Sequence, residues 1–455
     1  MNKDSKKKKR TIVEMPMINA NAAGIDVGDT MFMVAVPEGR DTVRVKEFGT
    51  FTCDLKAISQ WLKQCRIETV AMESTGVYWK SLFSVLIQDG FDVYLVHAQY
   101  AKNVTGRKTD ESDAQWIQHL HSCGLLKSCF LPDEHTETLR TLVRFRKNLT
   151  NDSSRYILRM QKSLEQMNIK VHTVISDIVG KTGTAIIEAI ISGERTPENF
   201  LSYIDARIKA DQQTLLKSLE GNWRKEHLAT LRLSYEMYKV LQEKIIKCEK
   251  EIEETLQEYL AAKNDGVIES IEDTEKKRPE KIKKKSKNQP IFNTRKYLKK
   301  LYGVDVTEIF GISDTCALEI FSETGLDLSK WINEDKFVSW LNLCPNNKIT
   351  GGKLISSTRL KKKPNPAAQS FRAAANSLQL SNNWLGDYFR RMKAKGGHKY
   401  AIVATARKIA IIYYKMVRYK QNFTPMDLSD YQEKYRSAKI AYLERKLKEL
   451  KRQAA

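Results

Sequence analysis

A chain of 455 residues with 41% apolar side chains has ample material to bury, and its length predicts roughly two to four domains rather than one core. Its 77 Lys and Arg against 55 acids give a net charge of +22 and a pI near 9.5, which points to a polyanionic partner, nucleic acid before an anionic membrane surface. No run approaches the ~18 apolar residues of a membrane span and no signal peptide is legible, while seven cysteines without CxxC or Cys/His spacing argue against a disulfide framework or a structural zinc; a cytoplasmic protein is expected.

Residues 1–22, with the run KKKKR, read as a basic tail. The stretches GIDVG, TMFMVAV and VRVKEFGTF then read as three strands joined by short turns. DLKAISQWLKQC follows as an amphipathic helix, TVAMES as a buried strand, WKSLFSVLIQDG as a helix and FDVYLVH as a fifth strand. Three meander strands followed by α/β alternation predict a ribonuclease H-like sheet over residues 23–128. Residues 129–263 are dominated by long charged stretches with apolar residues three and four apart, amphipathic helices able to pair as a coiled-coil arm. The basic, proline-containing stretch 264–298 reads as a linker. Residues 299–422 read as a mostly helical domain, with a loop-rich interruption at LCPNNKITGGKLISSTRLKKKPNPAAQ, and 423–455 as a charged helix.

Acids collect in one place on this plan. A ribonuclease H-like sheet sets its first strand beside its fourth, so Asp26 in GIDVG and Glu73 in AMESTG become neighbours. The helix after the fifth strand would bring Asp110 and Asp113, three residues apart and able to share a face. Four carboxylates in a small volume repel one another unless divalent cations neutralise them. Oxygen-only donors select Mg2+ or Mn2+, two ions per site, the arrangement of two-metal phosphoryl transfer. Arg107 and Lys108, just upstream, read as phosphate-facing cations.

The combination GIDVGDT, VAMESTGVYW and NVTGRKTDESDAQWI resembles the DEDD transposases of insertion-sequence family 110, bacterial recombinases with a Holliday-junction-resolvase-like N-terminal domain. The likeness continues through IVGKTGTAIIEAIISGER, GNWRKEH and IFGISDTCALEIFSETG to FVSWLNLCPNNKITGGKLISS. It implies an Asp-Glu-Asp-Asp tetrad matching Asp26, Glu73, Asp110 and Asp113. It also implies a C-terminal transposase domain that contributes a hydroxyl nucleophile, a structured guide RNA that pairs with DNA, and a homo-oligomer, dimer or tetramer. In this family the residue before the Gly pair is a serine; here it is Thr350, with Ser356 and Ser357 as rival hydroxyls. Gly351 and Gly352 permit close approach to a phosphate, and Lys353 and Arg359 offer it positive charge. FGISDTCA resembles a helix-hairpin-helix element in which Ser313 stands at the second glycine position. Two other readings stay open: a catalytically silent RNA- or DNA-binding relative, and a metal-dependent junction nuclease that forms no covalent intermediate.

Overall fold

The computed structural model describes residues 16–97, 113–263, 288–359 and 365–454. The chain forms two compact units that divide after Leu131.

In the first unit, strands β1 (Ala22–Val27), β2 (Phe32–Ala35) and β3 (Val45–Phe48) form an antiparallel meander, while β4 (Thr69–Glu73) and β5 (Asp92–Val96) add in parallel on the other side of β1. The strand order is β3-β2-β1-β4-β5. Alternation decides which residues face which layer. Ala23, Ile25 and Val27 of β1 and Val70 and Met72 of β4 join one core with Leu55, Ile58 and Leu62 of helix α1 (Thr52–Gln64) and Leu82 and Leu86 of α2 (Trp79–Gln88). Ala71 and Val96 pack on the opposite face with Ile117 and Leu120 of α3 (Asp113–Ser122). Both faces of the sheet are thus covered, and the central strands carry the continuous apolar runs such burial needs.

His121 is fixed within that second layer. It is buried, its Nε2 lies 2.8 Å from Thr69 Oγ1, and desolvation pulls its pKa from 6.5 down to about 4. The folded unit therefore holds the neutral imidazole, so its contribution to stability is complete above pH 6.5 and is lost as the pH falls toward 4. Thermal unfolding followed from pH 7 to pH 4.5 should reveal this as roughly 2 kcal/mol of acid sensitivity that His121→Gln lacks. Equal acid sensitivity in the two proteins would contradict it.

The second unit is built around two long helices, α4 (Glu134–Gln166) and α7 (Lys225–Lys263). They run antiparallel within the chain, tied by Thr136 to Tyr259, Arg146 to Glu249, Ser153 to Gln242 and Ser163 to Thr230. The Arg146–Glu249 ion pair is buried at 2.6 Å. It tolerates burial because Arg146 also donates to Asn288 O and Glu249 accepts from Ile291 N. One end of the pair closes on a helical cap containing α5 (Lys181–Ser192) and α6 (Gln212–Leu219), whose Ile186, Ile190 and Leu219 bury Met160, Leu164 and Leu231. Toward the other end, Arg140 and Arg144 grip Glu323 of α9 (Asp314–Thr324).

Residues 264–287 of the expected linker lie outside the described residues; the description continues from Asn288, and α8 spans Thr294–Tyr302. Within the last residues of the expected linker, Tyr297 and Leu298 are buried on this helix. An aromatic core follows, in which α9, α10 (Glu334–Trp340), α11 (Pro366–Ser377) and α12 (Trp384–Tyr419) bring together Phe321, Phe337, Phe371 and Tyr413. The last helix, α13, spans Leu428–Ala454. The stretch expected as a loop-rich interruption is instead a β-hairpin, β6 (Pro345–Thr350) and β7 (Lys353–Arg359). Its tip needs positive φ at both Gly351 (+55°) and Gly352 (+75°), the requirement of a two-residue primed turn.

Candidate active site

The site residues of the first unit are positioned by the sheet. Gly24 pairs with Ala71 and Ile25 with Met72 in parallel, so the next step of both strands sets Asp26 level with Glu73. Alternation then places both acids on the face that α3 covers, two residues beyond Gly24 and Ala71. Gly24 is where the helix touches the sheet: a Cβ there would lie 2.2 Å from Gln118 N and 2.3 Å from Ala114 O. The direction of α3 follows from its other end, where Ser122 O accepts from the backbone N–H groups of Ile18 and Asn19, just before β1. Asp113, the first residue of α3, therefore lies at the opposite end of this face, toward Asp26 and Glu73.

Asp26 and Glu73 are half-buried and Asp113 is exposed. Thr75 Oγ1 donates to Glu73 Oε1 at 2.9 Å, holding one carboxylate oxygen. Among the described residues no group of three or more His, Cys, Asp or Glu stands close enough to hold a metal. Asp110, Arg107 and Lys108 lie outside the described residues. The donor chemistry at this sheet end is carboxylate oxygen, which suits a hard divalent cation.

Two residues escaped the sequence reading. Thr75 carries no signal of its own beyond its place two residues after Glu73. Gly24 does carry one, because a glycine inside a buried strand marks a close backbone approach.

The second unit presents the hydroxyls. Thr350, Gly351, Gly352 and Lys353 form the exposed tip of the hairpin, with Thr350 directly across from Lys353. Lys348 pairs with Ser356 and Ile349 with Leu354, so Ile355 is an extra residue, a β-bulge. Without it Ile355 would face Lys348. With it, Thr350, Lys353, Lys348 and Ser356 share one face. Ser357 pairs with Asn347 at the next position, and Arg359 with Pro345 at the base of the hairpin. Farther upstream, in the element likened to a helix-hairpin-helix, Ser313 is the N-cap of α9, its Oγ accepting from Cys316 N at 3.3 Å. That capping role gives a serine a use where a glycine was expected. Gly311, at φ +92°, lets the turn run against α11, where a Cβ would meet Ala374 O at 2.5 Å.

Comparison with known families bears on both units. Residues 23–169 match the model of the IS110-type DEDD transposases, described as Transposase, and residues 305–390 match that described as Transposase IS116/IS110/IS902 family. Together the two matches cover just over half of the 455 residues. The chain belongs to the IS110 family of transposases. A search among curated proteins returned no significant match. As a DNA transposase, the protein has DNA for a partner. The first match covers the acids of the transposase's sheet and the second covers its hairpin. No helix among the described residues of the transposase is long and apolar enough to cross a membrane.

Proposed function

We infer that this transposase cuts and rejoins DNA strands through an acid tetrad and a hydroxyl nucleophile. The tetrad is Asp26, Glu73, Asp110 and Asp113, on a ribonuclease H-like domain. The observation that supports the reading is the register that sets Asp26 level with Glu73 on adjacent strands, with the first residue of α3 toward the same end of that sheet face. The strand order, with an antiparallel meander beside a parallel pair, supports the fold reading.

The four carboxylates would hold two Mg2+ or Mn2+ ions. When bound, such ions supply Lewis-acid stabilisation of charge on a phosphate and lower the pKa of a coordinated hydroxyl. The chain's own groups do the rest. Thr75 orients Glu73 by its hydrogen bond. Thr350 attacks phosphorus at the scissile phosphodiester, its proton leaves to solvent, and the departing DNA 3′ oxygen takes up a proton. The resulting phosphothreonyl link to the 5′ phosphate is reversed when a DNA 3′ hydroxyl attacks it, so the number of phosphoester bonds is conserved. Lys348 and Lys353, on the same hairpin face, offset the charge of the phosphate, while Arg359, at the base of the hairpin, would bind the nucleic-acid backbone farther along. Arg107 and Lys108 would hold the DNA backbone beside the acids.

A structured RNA encoded by the element is proposed to select the sites. A net charge of +22 suits binding two polyanions at once, and base pairing would supply the sequence specificity. The paired α4 and α7 supply the proposed coiled-coil arm, and the protein is proposed to act as a homo-oligomer, a dimer or tetramer. Acting on cellular DNA puts the protein in the cytoplasm.

The test combines purified protein, the element's flanking noncoding RNA, labelled donor DNA and Mg2+. A covalent protein–DNA species whose attached peptide contains Thr350 is expected, lost in Thr350→Ala and kept in Thr350→Ser. Attachment at Ser356 would move the nucleophile along the same hairpin face. Free nicked DNA without adduct would favour a water-using junction nuclease, and intact DNA with retained RNA binding would favour a silent binder.

A further inference from the structure

Helix α13 carries an apolar stripe that the other described residues leave uncovered. Its first turns are docked. Tyr431 stacks obliquely on Trp384, and the Arg391 guanidinium lies 4.6 Å from the Tyr431 ring centre and 3.8 Å from that of Tyr435. Every residue from Gln432 to Arg452 is nonetheless exposed. Within this span Ile440, Leu443, Leu447 and Leu450 are each 50–55% exposed, at intervals of three, four and three residues. That spacing lines them up along one side of a helix as the seam positions of a heptad repeat. The seam lies roughly 100° around the helix from the docked tyrosines, so the surface of α12 that holds α13 does not cover it.

We propose that this seam is a dimerisation surface, on which α13 of a second copy of the chain packs in parallel through Ile440, Leu443, Leu447 and Leu450. Four uncovered aliphatic side chains keep apolar surface in water, and a matching seam removes all four from solvent in both copies. In the first heptad, Ile440 followed by Leu443 is the combination that favours two parallel strands; the second heptad has leucine at both positions. Charge agrees over the first heptad: Lys439 and Glu444 flank the seam at the positions that meet across a parallel pair, and two-fold symmetry makes two such pairs. The following pair, Lys446 with Lys451, is like-charged and lies at the exposed rim, where salt screens it. An antiparallel arrangement would set Glu444 near its own copy and Lys446 near its own copy, which disfavours it. Lys434, Arg445, Lys448 and Arg452 point away from the seam, so pairing leaves them available to nucleic acid. This inference does not depend on the acid tetrad.

Cysteine crosslinking in the full-length protein tests it. Under mild oxidation Leu443→Cys and Leu450→Cys should each form an intermolecular disulfide, because equivalent seam residues face each other in a parallel pair. Arg445→Cys, about 200° around the helix from Leu443, and the unsubstituted protein should not. Adding Ile440→Asp and Leu447→Asp to the Leu443→Cys protein should abolish its crosslink; both changes are on an exposed face and spare the core. The proposal falls if neither seam cysteine crosslinks, if Arg445→Cys crosslinks equally well, or if the aspartates leave the crosslink intact. It falls equally if Leu443→Cys stays monomeric and DNA or RNA shields it from maleimide, since the seam would then be a nucleic-acid contact.

Discussion

Asp26→Asn is expected to abolish DNA strand cleavage, by roughly a thousandfold or more, while leaving the protein folded. The substitution keeps the shape of a half-buried side chain and removes the charge that would hold a cation. Losing one carboxylate from a metal-assisted phosphoryl-transfer site costs several kcal/mol of transition-state stabilisation, the scale of that factor. Cleavage of labelled donor DNA, measured across a Mg2+ titration, checks it. A loss rescued by Mn2+ or by excess Mg2+ would place Asp26 on a cation, whereas an unchanged cleavage rate would remove Asp26 from the active site and sink the tetrad reading. An unchanged melting temperature is needed to separate either outcome from misfolding.

The second large effect is expected at a residue with no side chain. Gly24→Val should destabilise the first unit by about 3 kcal/mol or more, and Gly24→Ala by less but still measurably. A Cβ at position 24 meets the backbone of Ala114 and Gln118 at 2.2–2.7 Å, and backbone atoms cannot swing aside as a flexible side chain would. The helix must back away from the sheet, and Asp113 at its head moves with it. Gly24→Ala should therefore lower cleavage more than its melting temperature would suggest. Denaturant unfolding and cleavage assays on the same preparation would show the two effects separating; a Gly24→Val protein as stable as the parent would show that α3 is not seated on this glycine.

Much of the fold was legible because the first unit obeys simple periodicities. The run AAGIDV is buried along nearly its whole length, as a strand covered on both faces must be. TVAME repeats the pattern, and the 3.6-residue spacing of Leu55, Ile58 and Leu62 announced α1. The expectation that Asp26 and Glu73 are neighbours came instead from the strand order of a ribonuclease H-like sheet, in which the first strand lies beside the fourth, as β1 does beside β4. The hairpin was not legible as strands for the opposite reason. PNNKIT and KLISSTR carry polar residues on both faces and leave Ile349 and Ile355 in solvent, so no buried face imposes an alternation. Its Gly-Gly turn was the available signal. Helix α13 was read as charged, which it is, but the three-four-three spacing of its aliphatic residues went unremarked because cations surround them. The seating of Asn288 and Ile291 was hidden because the residues that anchor them, Arg146 and Glu249, are distant in sequence.

The pairing of α4 with α7 has a consequence for how the second unit can change over evolutionary time. Each tie across the pair joins residues whose numbers add to nearly the same total, so the two helices keep one register along their whole contact. A slip by one heptad would set Arg146 against Gln242 or Leu256 and strand a buried charge. A single-residue insertion in one helix would put every tie beyond it out of register, whereas turns added to both helices at matching places would preserve the ties. At 1.5 Å per residue, the 33 residues of α4 make a strut about 50 Å long. Its length is quantised in paired turns, and with it the separation between the α5–α6 cap and the end that grips α9.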